Sequence, residues 1–296
     1  NVDIIGDIPI YMGLDSSDVW ADAGEFLLDE NLTPVKVAGV PPDAFSELGQ
    51  KWGNPLYDWN KMEANGFRWW RARMAHSAEL YDVIRIDHFI GIVKYYTIPA
   101  DMPDARQGSY EQGPGQKLLD VINEAIGDKK IIAEDLGVSL PEVDVILREN
   151  NYPSMKVLEF AFDSRDSGCA NDYLPHNYPE NSVAYTGTHD NETIVGWWKS
   201  ITVKERKLAR DYLCDNWTPD KDLYKCFISL VMRSSAKLCV IPMQDYMGLD
   251  NSCRMNQPST VGKNWKWRIR RRELTAKLQK EIHGIALRYG RMNWSD

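Results

Sequence analysis

The sequence predicts an α/β chain of parallel strand–helix units, and two observations carry that prediction. Short apolar, β-rich runs alternate with stretches whose apolar residues recur at a spacing near 3.6, the pattern of βαβ units. Three of those runs end abruptly in a carboxylate: Asp82-Val-Ile-Arg-Ile-Asp87, Lys130-Ile-Ile-Ala-Glu134-Asp135 and Val183-Ala-Tyr-Thr-Gly-Thr-His189-Asp190. The C-terminal end of a buried parallel strand is where α/β proteins place their chemistry. A single acid there is commonly a helix cap. Three of them, two beside Arg or His, are hard to read as caps.

Taken in order, strands are predicted over residues 2–6, 83–87, 130–134, 156–162, 182–187 and 237–243. Helices are predicted over about 61–81, 116–127, 141–149, 191–199, 203–215, 221–236 and 268–290. In the last of these, Leu274, Leu278, Ile282, Ile285 and Ala286 form one face and Lys and Arg the other. Six βα units are visible, whereas a closed eight-stranded barrel needs eight units and about 250 residues. The shortfall lies at the amino-terminal end, where the chain opens on Asn1 without Met and directly inside a strand, as a fragment or processed form would. The expectation is one domain over residues 1–296. Two long stretches, 12–60 and 97–115, are rich in Pro and Gly and read as inserted irregular loops, the usual form of binding loops or lids.

Composition narrows the function classes. Hydrophobic residues make up 43% and charged residues 26%, enough for a sizeable core and against disorder. The net charge of −8 argues against a nucleic-acid partner, which favours a basic face. The basic run Lys263–Arg272 alternates with Trp and Ile and reads as the solvated entry to the last helix. Five scattered cysteines (Cys169, Cys214, Cys226, Cys239, Cys253) without a C-x-x-C predict neither disulfide framework nor zinc site, and a reducing cytoplasm. No run resembles a signal peptide or a membrane span. The chain carries 11 Trp and 14 Tyr, and Trp52, Trp59 and Trp265 fall in polar, Gly- or Pro-rich segments. Flat rings beside polar groups suit the alternating faces of a sugar.

The strand-end acids fit glycosidic-bond chemistry, which uses two carboxylates in different protonation states. In Arg85-Ile-Asp87 the polar side chains share a strand face, so the guanidinium can hold Asp87 ionised. An Arg–Asp pair that merely closes a barrel end has the same spacing, and spacing alone leaves the two even. Glu134 follows three apolar residues, whose walls would raise its pKa as a proton donor needs. The plainer alternative makes Glu134 or Asp135 the cap of the helix near Pro141, and Asp135 could also orient Glu134. His189 and Asp190 could bond sugar hydroxyls, with Asp190 as a third, stabilising acid. No second or third His lies at ligand spacing, so no metal site is expected. No nucleophile elbow, P-loop or dinucleotide fingerprint is present, and no cofactor is expected.

These residues together closely resemble the amylomaltases, or disproportionating enzymes: 4-α-glucanotransferases allied to the α-amylase superfamily. The segments are Ile5-Gly-Asp7-Ile-Pro-Ile-Tyr11, Val37-Ala-Gly-Val-Pro-Pro-Asp43, Gly49-Gln-Lys-Trp52-Gly-Asn-Pro-Leu-Tyr57, Arg85-Ile-Asp87-His-Phe89, Ile132-Ala-Glu134-Asp-Leu-Gly137, Gly187-Thr-His-Asp190-Asn and Met255-Asn-Gln-Pro258. Each is weak alone; seven in family order are specific.

The resemblance implies an α-amylase-type (β/α)8 barrel, here strands 3–8. It implies Asp87 as nucleophile, Glu134 as acid/base and Asp190 as stabiliser. Asp7, Gln50, Trp52, Asn54, Arg85, His189, Asn256 and Pro258 are then sugar contacts. It implies maltooligosaccharides and other α-glucans as substrates, with transfer to the 4-OH of an acceptor glucan. Open barrel edges would invite self-association. Two positions depart from the family pattern: Gln112 stands where a basic residue is common, and Ser259 where Gly usually follows Pro258. A glucan-binding remnant without turnover and an α-glucan hydrolase are the competing readings.

Overall fold

In the computed structural model the described residues are 2–42, 46–137, 140–164 and 171–292. Asp43 and Cys169 lie outside them. The chain divides into two compact units, Asn1–Ser154 and Met155–Asp296.

The first unit holds strands β1 (Ile5–Pro9), β2 (Lys36–Val40), β3 (Gln50–Pro55), β4 (Val83–Asp87), β5 (Lys94–Pro99), β6 (Ser109–Gln112) and β7 (Lys130–Ala133). β1, β4 and β7 form a parallel sheet with β4 in the centre, paired Asp7 to Arg85 on one side and Arg85 to Ile132 on the other. Both pairs are parallel, so the C-terminal ends of all three strands share one edge of the sheet. Helices Arg68–Leu80 and Gln116–Ile126 cover one face. They bury Trp70, Met74, Leu118, Leu119, Ile122 and Ile126 in a single cluster with Ile84, Ile86 and Ile131.

Three expectations change here. The stretches read as irregular loops carry a second sheet, antiparallel, in the order β3-β2-β5-β6. It has its own small core of Val37, Tyr96, Ile98 and Ala105. β2 and β5 are apolar and largely buried, whereas the outer strands β3 and β6 are polar, so pairing more than apolar content defines those two. The single helix expected over 61–81 is two, Trp59–Ala64 and Arg68–Leu80. Gly66 and Phe67 both take left-handed φ (70° and 52°), and the Phe67 N–H closes back on Met62 O at 2.6 Å. Two successive left-handed residues end an α-helix. A one-turn helix, Ile90–Val93, also stands between β4 and β5.

The second unit contains β8 (Ser154–Val157, all but its first residue), β9 (Ser182–Tyr185) and β10 (Leu238–Val240), with β9 central and β10 parallel to it. The strand expected over 156–162 stops at Val157 and turns into a 3-10 turn, Leu158–Phe160. Helices Ile194–Ser200, Val203–Leu213 and Tyr224–Met232 pack Trp197, Trp198, Ala209 and Phe227 against Phe162. Thr202 and Glu205 close a capping box on the second of them. The last helix runs Ala276–Arg288, starting from a Thr275 cap and not at residue 268. The basic run before it is a turn at Asn264 and Trp265, then irregular chain and a 3-10 turn, Arg271–Glu273. Among the described residues no helix is long and apolar enough to cross a membrane.

Candidate active site

The parallel sheet positions two of the three acids by backbone register. Asp87 is the last residue of β4 and Glu134 the first after β7. The ladder continues past the strand: Glu134 N–H donates to Ile86 O at 3.1 Å, and Phe89 N–H to Glu134 O at 3.0 Å. Arg85, buried on the central strand, lies opposite Asp7 in register. Its Nη1 bridges Asp7 Oδ1 at 2.6 Å and Asp87 Oδ1 at 3.1 Å. The expected Arg85–Asp87 pair is thus present, with Asp7 as a second partner. One guanidinium therefore ion-pairs two carboxylates at the C-terminal edge of the sheet.

Glu134 has the opposite environment. It is 8% exposed, and burial first, then the neighbouring Asp87 charge, raises its pKa to about 7. Arg85 and two backbone donors oppose that rise: His88 N–H reaches Oε2 at 2.7 Å and Leu136 N–H reaches Oε1 at 2.9 Å. Desolvation outweighs all three. Neither Glu134 nor Asp135 caps the helix Pro141–Glu149, whose cap position is Leu140 with no side-chain bond. That disposes of the plainer alternative for both acids.

β3 brings three further expected residues to this unit. Gln50, Trp52 and Asn54 alternate along the strand, Gln50 accepting from Trp52 Nε1 at 3.1 Å and Asn54 donating to Met12 O at 3.0 Å. The Trp52 ring stands edge-on to His88 with centroids 4.8 Å apart, and Tyr11 lies 6.2 Å from Trp52. His88 follows Asp87 directly and takes a left-handed φ of 50°. Part of its surface remains accessible, yet the atoms packed round the ring lower its pKa to about 4, so it is neutral at pH 7. His88 and Tyr11 were given no role from sequence, although each sits inside a segment that carries the resemblance. Lys51 anchors the same strand by donating to Ala100 O and Met102 O, both at 2.6 Å.

In the second unit, Asp190 lies five residues past the end of β9 and depends on side chains for its place. Asn256 Nδ2 donates to Asp190 Oδ1 at 2.5 Å, His189 Nε2 stands 3.4 Å from Oδ2, and Asp190 N–H bonds Thr188 Oγ1 at 3.2 Å. Asn256 N–H donates to His189 O at 3.0 Å, so the loop bearing Asn256 is fastened to the one bearing the acid. Arg254 reinforces this by donating to Asp190 O at 2.5 Å and Asn256 O at 2.8 Å. Trp265 lies 5.1 Å from the His189 ring. Arg254 carried no signal in sequence; Trp265 did, as a Trp in a polar segment. Pro258 is exposed on the Asn256 loop, and Ser259 after it has φ 62°, the conformation that favours the Gly expected there. Gln112 donates to Val93 O at 2.8 Å. Among the described residues no group of three or more His, Cys, Asp and Glu could hold a metal ion.

With this geometry in view, residues 1–275 match the family described as 4-alpha-glucanotransferase. The 4-alpha-glucanotransferase of Clostridium butyricum is 45% identical over 293 residues, covering 98% of this chain and 59% of that protein. Among solved structures, an amylomaltase from Streptococcus agalactiae in complex with acarbose is 38% identical with a TM-score of 0.92, covering 99% of this chain and 58% of that one. Amylomaltase from Corynebacterium glutamicum, at 20% identity, shares the fold with a TM-score of 0.73 over 88% of this chain and 41% of that one. These neighbours place the chain in the α-amylase-type α/β fold. The chain spans about half the length of the curated relatives it matches.

Proposed function

Because the chain belongs to the 4-alpha-glucanotransferase family, we propose that it transfers α-1,4-glucan segments to the 4-OH of an acceptor glucan by a retaining double displacement. The observation that carries this reading is the pair at the ends of β4 and β7. One acid is held by a guanidinium, and its neighbour is pushed by burial to a pKa of about 7. An acid paired with a guanidinium beside a buried acid of raised pKa is the arrangement a nucleophile and an acid/base require.

In this reading protonated Glu134 gives its proton to the glycosidic oxygen as an Asp87 oxygen bonds C1, so the C–O bond breaks toward the leaving sugar. Glu134, now ionised, takes the proton of an acceptor 4-OH. That oxygen attacks C1, and the Asp87 ester bond breaks, restoring the α-linkage. Asp190 stabilises the distorted ring between the two steps. Asp7, Gln50, Trp52, Asn54, Arg85, His189, Asn256 and Pro258 bind sugar units. Trp52 on the inserted sheet would cover the acids and disfavour water as acceptor. The chain would then be a single catalytic domain of the (β/α)8 type over residues 1–296.

Maltotriose is the deciding substrate. Incubation with the chain should give glucose and a ladder of longer maltodextrins by chromatography. Glucose and maltose alone would make it a hydrolase, and unchanged maltotriose would refute catalysis by this chain.

A further inference from the structure

Two buried acids that the reaction does not use lie beneath the loop that carries Asp190. Asp245, fully buried on the short helix Met243–Tyr246, accepts from the Thr186 hydroxyl at 2.5 Å through Oδ2 and from Ile194 N–H at 2.8 Å through Oδ1. Those donors stand at the two ends of the segment 186–194, so one carboxylate ties both together. Glu159, 8% exposed, sits in the turn after β8 and donates its backbone N–H to Thr186 O at 3.3 Å. Its carboxyl group lies against Gly187, with Oε1 only 2.9 Å from where a Cβ on that glycine would be. Glu192 N–H bonds the same carboxyl group, and Oε1 has no hydrogen-bond partner among the described residues.

The charges facing Glu159 come from three elements: Asp245 on its helix, Glu192 on the loop, and Arg254 beyond the turn Asn251–Cys253. Arg254 is the one cation of the three, and its Nη2 and Nε donate to Asp190 O and Asn256 O. Asp245 and Glu192 both oppose charge on Glu159, and interacting acids in a dry site cannot both ionise cheaply. Asp245 has two donors aimed at it, which favour its charged form. An ionised Glu159 would leave an unbonded oxygen buried beside two like charges. We infer that Glu159 and Asp245 act as a one-proton clamp that positions the Asp190 loop, with the proton on Glu159. The titration agrees in direction: burial, then Asp245 and Glu192, hold Glu159 well above its ordinary 4.5, and burial lifts Asp245 only to about 6. Only the catalytic consequence of the clamp rests on the role proposed for Asp190.

A raised native pKa adds stability below the unfolded value and loses it as pH climbs through the native one. Glu159→Gln keeps the shape of the protonated acid and cannot ionise. Wild type and variant should therefore melt alike at about pH 4, with the variant melting progressively higher toward about pH 9. Hydrogen exchange in peptides spanning 186–194, corrected for intrinsic rates, should lose protection about tenfold in wild type over that range and stay level in the variant. A variant that melts lower than wild type at neutral pH, or opens this loop there, would overturn the clamp. Should the variant not fold, the wild-type exchange profile decides alone, and protection independent of pH sinks the proposal. Neither readout depends on turnover, so a failed maltotriose assay and a failed clamp are separate results.

Discussion

Asp87 and Glu134 in the first unit and Asp190 in the second are all placed near strand ends, by different means. The first two stand at most one residue from a parallel ladder, and backbone bonds to Ile86 O and from Phe89 N–H carry the ladder past them. Asp190 lies on a loop, held by Thr188, Asn256 and Arg254 and underpinned by Asp245. An acid at a strand end gets its position from register and only its charge state from side chains. An acid on a loop needs side chains for both. The difference predicts that the first site is most sensitive at its charged groups, and the second at the uncharged contacts and buried supports around its acid.

The largest effect expected is at the first site. Asp87→Asn should lower maltotriose disproportionation at least about a thousandfold, since the amide cannot form the ester. Full activity would remove Asp87 from the role of nucleophile and reduce the Arg85 pair to a structural bridge. The same variant isolates the electrostatics. Asp87 raises the pKa of Glu134, so carboxyl NMR should find Glu134 titrating below about 7 in the variant. An unchanged or higher value would show that burial acts alone.

Wild-type pH dependence comes next in size. Glu134 must enter the first step protonated, and its proton is lost as pH rises through about 7. Transfer from maltotriose should accordingly fall on the alkaline side with a midpoint near that value, about tenfold for each further pH unit. A rate that stays level to about pH 9 would take the general acid away from Glu134.

For the second site the sensitive position is a residue that touches no sugar in the proposed reaction. Asp245→Ala leaves the Thr186 hydroxyl and Ile194 N–H buried without their acceptor, at a cost of about 3 kcal/mol. Urea unfolding at neutral pH measures it. A loss below about 0.5 kcal/mol would mean that the loop is not held from beneath.

How much of this was legible in sequence follows the same division. The period of two along β4 put Arg85 and Asp87 on one face, and they meet at 3.1 Å. Apolar runs ending in acids located Asp87 and Glu134 to the residue, because buried parallel strands leave that signature. The inserted sheet was missed: Gln50-Lys-Trp-Gly-Asn-Pro55 has no apolar run and is a strand because β2 pairs with it. The break at Gly66 and Phe67 was obscured by apolar spacing that continues across it, although Asn65-Gly66 is a helix-stop signal. Glu159 and Asp245 had no signal at all. Their role depends on two segments 86 positions apart meeting the loop 186–194, Glu159 at Gly187 and Asp245 at Thr186 and Ile194, and nothing local to either encodes that.

The smallest expected effect tests the loops themselves. Glu134 is followed by Gly137 at φ 103°, with open space where a Cβ would be, so only the backbone conformation demands glycine there. The Asn256 loop turns instead through Ser259 at φ 62°, where a side chain costs roughly 1 kcal/mol. Gly137→Ala should therefore destabilise the first unit by about 1 kcal/mol. Ser259→Gly should stabilise the second by up to about 1 kcal/mol, less the extra freedom glycine gives the unfolded chain. Paired thermal melts separate the two signs. If Ser259→Gly instead lowers the melting temperature, the serine hydroxyl contributes more than its backbone costs. The departure from the family's Gly would then be a stabilising substitution in the loop next to Asn256.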